Sequence, residues 1–114
     1  MFDLAARRCA PRPSDEGPLP PAARDALHAQ VPLWTVRPGE RELERAFTFP
    51  DYWQTMAFVN AVAWVAHAED HHPDLGVHYG RVVVRWSTHS VGGLSENDFI
   101  CAAKVDRLVE GLGG

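Results

Sequence analysis

The chain has 114 residues, 46% of them hydrophobic and 23% charged, with 15 acidic against 11 basic side chains and a net charge of −4. That length and apolar content fit one compact domain around one core. The pI near 5.8 and the lack of a lysine or arginine run exclude a phosphate-tracking stripe, and with it direct nucleic-acid binding.

Residues 1–19 combine Pro11, Pro13 and Pro18 with Arg7, Arg8, Arg12 and scattered acids, the composition of a disordered arm. No apolar segment of signal-peptide length occurs there. A single domain is expected over 20–114. Pro20-Pro21 opens a helix that Ala23 and Leu27 carry into Gln30-Val31, and Pro32 stops it. Residues 33–36 read as a strand, 37–40 as a turn with proline second and glycine third, and 42–49 as a returning strand. In that strand Leu43, Phe47 and Phe49 share one side; Glu42, Glu44 and Thr48 share the other.

Pro50 and Asp51 introduce the longest helix, to about residue 70. Tyr52, Met56, Val59, Ala63 and Ala66 form a stripe at helical spacing, while Trp53, Ala57, Phe58, Ala61, Trp64 and Val65 cover most of the remaining circumference. A helix apolar nearly all round is buried on more than one side. Its second partner is either another subunit or a neighbouring helix. The apolar run 56–66 is interrupted by Asn60 and is far shorter than the roughly 20 residues of a membrane span.

Pro73 ends the helix and biases His72 toward extended backbone. Residues 75–78 and 81–88 form a second hairpin around Tyr79-Gly80, with Val82, Val84 and Trp86 on one face and Arg81, Val83, Arg85 and Ser87 on the other. After the Gly92-Gly93-Leu94 loop, Ser95-x-x-Asp98 resembles a capping box. It starts a last helix through Phe99, Ala102, Ala103 and Val105 to about residue 110, where Gly111 stops it. The order α-β-β-α-β-β-α predicts an α+β fold, a four-stranded antiparallel sheet with three helices on one face. Cys9 in a mobile tail and Cys101 inside a helix are poor disulfide partners, which places the chain in a reducing cytosol.

Four of the six histidines, His67, His71, His72 and His78, lie within 12 residues, and His89 follows at the end of a strand. Histidine exchanges protons near neutral pH, so His71-His72 at a helix end, answered by Thr88-His89-Ser90, is an acid–base cluster in waiting. The bland alternative is a set of satisfied polar residues at a helix stop. His67 and His71, four apart, also have zinc-sharing spacing, with His89 or Asp74 to complete a site. Against metal, Ala68 stands where the metalloprotease motif carries glutamate. Trp34 offers a flat wall to a heterocycle, although four tryptophans in a small domain are more often core. Asp98 is better explained as a cap than as an acid, and Arg81 and Arg85 as solvated.

Residues 63–107 resemble the pterin-4a-carbinolamine dehydratase family, known also as the dimerisation cofactor of a homeodomain transcription factor. The match carries His71-His72-Pro73-Asp74, Tyr79, Val82, Thr88-His89-Ser90, Gly93-Leu94-Ser95, Asp98 and the alanine-rich last helix. Weaker similarity reaches back through Phe47-x-Phe49 and Trp34 to about residue 19.

The resemblance implies dehydration of a 4a-hydroxy-tetrahydropterin to quinonoid dihydropterin, the recycling step after aromatic amino-acid hydroxylation. Such an enzyme is cytoplasmic, needs no cofactor and no metal, and shares a pathway with a hydroxylase. By position, His71, His72 and His89 form the acid–base set. Pro73, Thr88, Ser90, Val91 and Asp98 belong to the pterin site, and Trp34 walls it. A homodimer or homotetramer is implied, and a non-catalytic interaction module on the same fold is the alternative; a metal-dependent hydrolase ranks behind both. One departure stands out. Many members carry glutamate where this chain has His67, which makes His67 a modulator of the charge around His71.

Overall fold

The computed structural model describes residues 3–111. Helices α1 (Pro21–His28), α2 (Tyr52–Glu69) and α3 (Glu96–Gly111) alternate with strands β1 (Thr35–Val36), β2 (Leu43–Thr48), β3 (Asp74–Val77) and β4 (Arg81–Trp86). The predicted order holds. The antiparallel sheet runs β1-β2-β4-β3, so the two hairpins join through β2 and β4, in register from Leu43 opposite Trp86 to Thr48 opposite Arg81.

Strand alternation decides the two faces. Val82, Val84 and Trp86 of β4 and Leu43 and Phe47 of β2 point into the core with Phe58 and Val62 of α2 and Phe99, Ile100 and Val105 of α3. The opposite face is ionic: Arg85 Nε donates to Glu44 Oε1 at 2.8 Å, and that bond, against the opposing effect of burial, holds the Glu44 carboxyl below its ordinary value. Gly80 is required in the β3–β4 turn, because a Cβ there would stand 2.8 Å from the Phe49 carbonyl oxygen.

Asp51 caps α2 by accepting from the Gln54 N–H at 2.8 Å. The buried face of α2 is Thr55, Phe58 and Val62, not the stripe from Tyr52 to Ala66. With apolar residues on every side, hydrophobic spacing cannot select the inner face. Thr55 helps to fix it, since its hydroxyl bonds the carbonyls of Asp51 and Tyr79, both at 2.8 Å. Trp53 and Trp64 are left 78% and 69% exposed. Among the described residues no helix is long and apolar enough to cross a membrane. β1 is shorter than predicted because residues 31–34 turn, with Val31 N–H bonded to the His28 carbonyl and Trp34 N–H to that of Val31.

In place of an extended free arm, residues 3–12 lie along α3 and the end of α2, and Ser14–Glu16 packs against the turn His89–Val91. Leu4 is buried in the core. The arm is tied by Arg107 to Asp3 at 2.6 Å, Lys104 to the Ala5 carbonyl at 2.9 Å, and Arg8 to Glu69 at 3.0 Å. Asn97 grips both backbone groups of Ala10, donating to its carbonyl at 2.8 Å and accepting from its N–H at 3.1 Å. Composition reports low hydrophobicity, but these long-range partners supply the fixing energy. Docking of the arm also brings Cys9 Sγ to 3.6 Å from Cys101 Sγ, both free thiols.

Candidate active site

The site is built where α2 stops. Asp70 adopts the left-handed conformation (φ 52°, ψ 46°), its N–H bonded back to Ala66 and His67, and the His71 N–H reaches the Ala66 carbonyl at 3.1 Å. This is a helix-terminating turn more often made with glycine, and it carries a modest strain of about 1 kcal/mol. The turn sends His71 inward, while Pro73 holds the following chain extended. His71 is therefore 13% exposed at the side chain and His72 is exposed.

The His71 imidazole stacks on Trp86 (centroids 5.4 Å apart, planes at 19°) and points Nε2 at Asp98 Oδ1, 2.7 Å away. Asp98 has no exposed surface. Its other oxygen accepts from the Ser95 N–H at 2.9 Å and the Thr88 hydroxyl at 2.8 Å. The predicted capping box is thus real: Asp98 caps α3 with one oxygen and holds a histidine with the other. Ser95 Oγ in turn bonds Thr88 Oγ1 at 2.7 Å, so a chain of hydroxyls runs into the carboxylate. A carboxylate accepts and does not donate. His71 therefore carries its proton on Nε2 toward Asp98, leaving Nδ1 as the nitrogen available for proton exchange.

The loop after β4 is closed by Thr88 and Gly93, whose backbones bond reciprocally at 2.9 and 3.4 Å around the single turn His89–Val91. Two cavities flank it. One, of about 250 Å³, is lined by Glu69, Asp70, His71, Thr88, Ser90 and Asn97, with Cys9 to Arg12 of the arm as its remaining wall. The other, of about 460 Å³, is lined by His89, Thr88, Arg41, Glu42 and Gly93 among others. Thr88 lines both.

Of the residues expected at the site, His71, Thr88, Ser90 and Asp98 converge, and His89 sits on the adjoining cavity. His72 and Pro73 follow directly on the backbone without lining either space. Val91 is buried within the loop.

Two further expected residues line neither cavity. Trp34 is 1% exposed, edge-on to Phe47, with its indole N–H donated to Asp106 at 2.8 Å, so it is core rather than a wall of either cavity. Asp98 is sealed from solvent and lines neither cavity; it touches their walls through His71 and Thr88.

His67 lies on the exposed side of α2 with its ring 5.5 Å from that of Trp64. The carboxylate near the helix end is Glu69, which faces the arm: it accepts from the Cys9 N–H at 2.7 Å. Burial acts to raise the Glu69 carboxyl, but that bond, Lys104 and Arg8 outweigh it and hold the group below its ordinary value. Among the described residues no three His, Cys, Asp or Glu side chains converge as a metal-ligand set.

Sequence reasoning missed the arm as a cavity wall, and Glu69 and Asn97 as its anchors. The polar residues at 69 and 97, each directly beside a residue of the His71–Asp98 neighbourhood, carried the signal only in retrospect of their partners 60 and 87 residues away.

The family model described as Pterin 4 alpha carbinolamine dehydratase matches residues 18–108. A protein of Stenotrophomonas maltophilia is 58% identical over 112 residues, covering 98% of this chain and 97% of its own length. One from Xanthomonas oryzae pv. oryzae is 57% identical over 110 residues, covering 96% and 93%. Both carry the provisional name pterin-4-alpha-carbinolamine dehydratase. Among solved structures, a transcriptional coactivator/pterin dehydratase from Brucella melitensis superposes with TM-score 0.76 at 28% identity, over 81% of this chain and 98% of that one. A pterin dehydratase-like RuBisCO assembly factor of the alpha-carboxysome gives 0.58 at 28% identity, over 66% and 87%. The chain belongs to the pterin-4a-carbinolamine dehydratase family.

Proposed function

We propose that this chain removes water from a 4a-hydroxy-tetrahydropterin to give the quinonoid dihydropterin, as a hydro-lyase whose acid–base groups are His71, His72 and His89. The observation that carries the reading is the 2.7 Å bond from His71 to a fully buried carboxylate, which fixes one imidazole tautomer beside a cavity. In the reaction the C4a–O bond breaks, the hydroxyl leaves as water after protonation, and N5 gives up its proton as its electron pair forms the new double bond. One group must donate a proton and another accept one. General acid–base help of this type is worth about 10²–10⁴-fold.

Each histidine has a different setting. His71 is held by Asp98 and stacked on Trp86, with Nδ1 left to exchange a proton. His89 stands on the larger cavity beside Arg41 and Glu42, a cation and an anion suited to the amide-like edge of a pterin. His72 is solvent-exposed and connects to bulk water. Thr88, Ser90 and Val91 shape the pocket between them. His67, in this reading, acts on the site only through its distant charge. The pathway is the recycling of a tetrahydropterin after aromatic amino-acid hydroxylation.

Exposed Trp53 and Trp64 on α2 support a homodimer or homotetramer, which sedimentation equilibrium reads directly. The chemical reading is tested by stopped-flow dehydration of a 4a-hydroxy-tetrahydropterin with wild type, His71→Ala, His72→Ala and His89→Ala. Falls of about tenfold or more for His71→Ala and His89→Ala are expected. Three variants all as fast as wild type would remove the histidines from the mechanism.

A further inference from the structure

We infer that Cys9 and Cys101 are a dithiol that peroxide converts to an intramolecular disulfide, fastening the N-terminal arm across the cavity that holds His71. The two sulfurs are 3.6 Å apart although 92 residues separate them in sequence. A covalent S–S bond is about 2.05 Å, so closure needs about 1.5 Å of movement. The arm is the partner able to supply it. Around Cys9 its hold is mainly hydrogen bonds and ion pairs, with Leu4 as its one core anchor, whereas Cys101 lies within the packed part of α3.

The surroundings define the product. Cys101 is fully buried, and its hydrogen bond with Cys9, its burial and the nearby charges of Asp98 and Glu69 push its thiol far above the ordinary value. Buried as it is, it meets no solvent-borne oxidant. Cys9 is half-buried and lines the cavity, so a small hydroperoxide reaches it first. Its sulfur attacks one peroxide oxygen as the S–H proton is given up. The O–O bond breaks, and the departing hydroxide takes up the thiol's proton and leaves as water. Cys9 is then a sulfenic acid, oxidised by two electrons. Cys101 sulfur displaces that hydroxyl, its own proton leaving with it as a second water. Two thiols and one hydrogen peroxide thus give one disulfide and two waters.

The link has a structural consequence whatever the substrate. Cys101 is three residues beyond Asp98, and Cys9 begins the arm segment that walls the His71 cavity. In the reduced chain that wall is held by Asn97 and Glu69 through hydrogen bonds. In the oxidised chain it is covalent with α3. The family model covers residues 18–108, so Cys101 lies within the part that defines the family and Cys9 outside it, while both bacterial relatives align across the arm.

The test is intact mass and tryptic mapping of the full chain after exposure to hydrogen peroxide, with alkylation of residual thiols. The expected product is a monomer that has lost two hydrogens, takes up no alkylating agent and yields a peptide pair linked through Cys9 and Cys101. Dithiothreitol should restore two alkylatable thiols, and limited trypsin should release residues 1–8 from the reduced chain faster than from the oxidised one. Two thiols that both remain alkylatable, a Cys9 sulfinic acid with Cys101 unchanged, or a disulfide between two chains would each overturn the proposal. Cys9→Ser should abolish the mass change. Because mapping of wild type alone decides the matter, a poorly folding variant does not shield it.

Discussion

Replacing Asp98 by asparagine alters one functional group and leaves the volume of the site in place. The amide oxygen can still accept from the Ser95 N–H and the Thr88 hydroxyl, now bonded at 2.9 and 2.8 Å. Its NH₂ then takes the place of the oxygen that accepts from His71 at 2.7 Å. A primary amide nitrogen only donates, so His71 must turn a lone pair toward it, and the ring proton moves to Nδ1. The imidazole stays stacked on Trp86 but presents the wrong nitrogen for proton exchange. Loss of one acid–base group corresponds to about 10²–10⁴-fold in rate, or about 2.7–5.5 kcal/mol of barrier. Loss of the charge-assisted bond lowers stability by about 1.5–3 kcal/mol, so a thermal melt must accompany the kinetics. Stopped-flow dehydration of a 4a-hydroxy-tetrahydropterin, at a temperature where the variant is folded, supplies the rate. A folded Asp98→Asn protein within twofold of wild type would refute the claim that Asp98 sets the working tautomer.

Trp34→Phe removes the bond to Asp106 and part of a buried ring, and should lower stability by about 2–4 kcal/mol in denaturant unfolding with kcat/KM changed less than twofold; a large loss of activity without loss of stability would return Trp34 to the substrate pocket. Glu69 has its folded-state carboxyl held below the ordinary 4.5, so its contribution is present above that value and disappears as pH falls through the depressed folded-state value. Glu69→Gln should therefore flatten the acid limb of the stability curve below about pH 4.5, read as Tm against pH, whereas identical acid limbs for the two proteins would show that Glu69 does not anchor the arm.

Much of this molecule is legible in the sequence wherever one local rule acts alone. The alternation of Val82, Val84 and Trp86 gives β4 and its inner face. Asp51 and Pro73 bracket the longest helix, and Ser95-x-x-Asp98 marks the start of α3. Legibility fails where a residue answers to two partners or to a distant one. Asp98 reads as a cap because that partner is three residues away; His71 is 27 away and leaves no local trace. The arm reads as disorder for the same reason, since Asn97, Glu69 and Lys104 supply its bonds from the far end of the chain. Trp34 is ambiguous in principle, for an indole suits a core and a ligand wall equally, and only Asp106 beside its N–H decides. The inner face of α2 is hidden by its uniform apolarity. Histidine density, in contrast, draws attention to the end of α2 and the loop after β4, where His71 and His89 each line a cavity.

The central claim is that this fold dehydrates a 4a-hydroxy-tetrahydropterin through positioned histidines. Its most direct test is the single-turnover rate of water loss from that compound with wild-type protein in excess, set against buffer alone. An acceleration of at least about 10²-fold is the predicted result. A time course superimposable on that of buffer would contradict it.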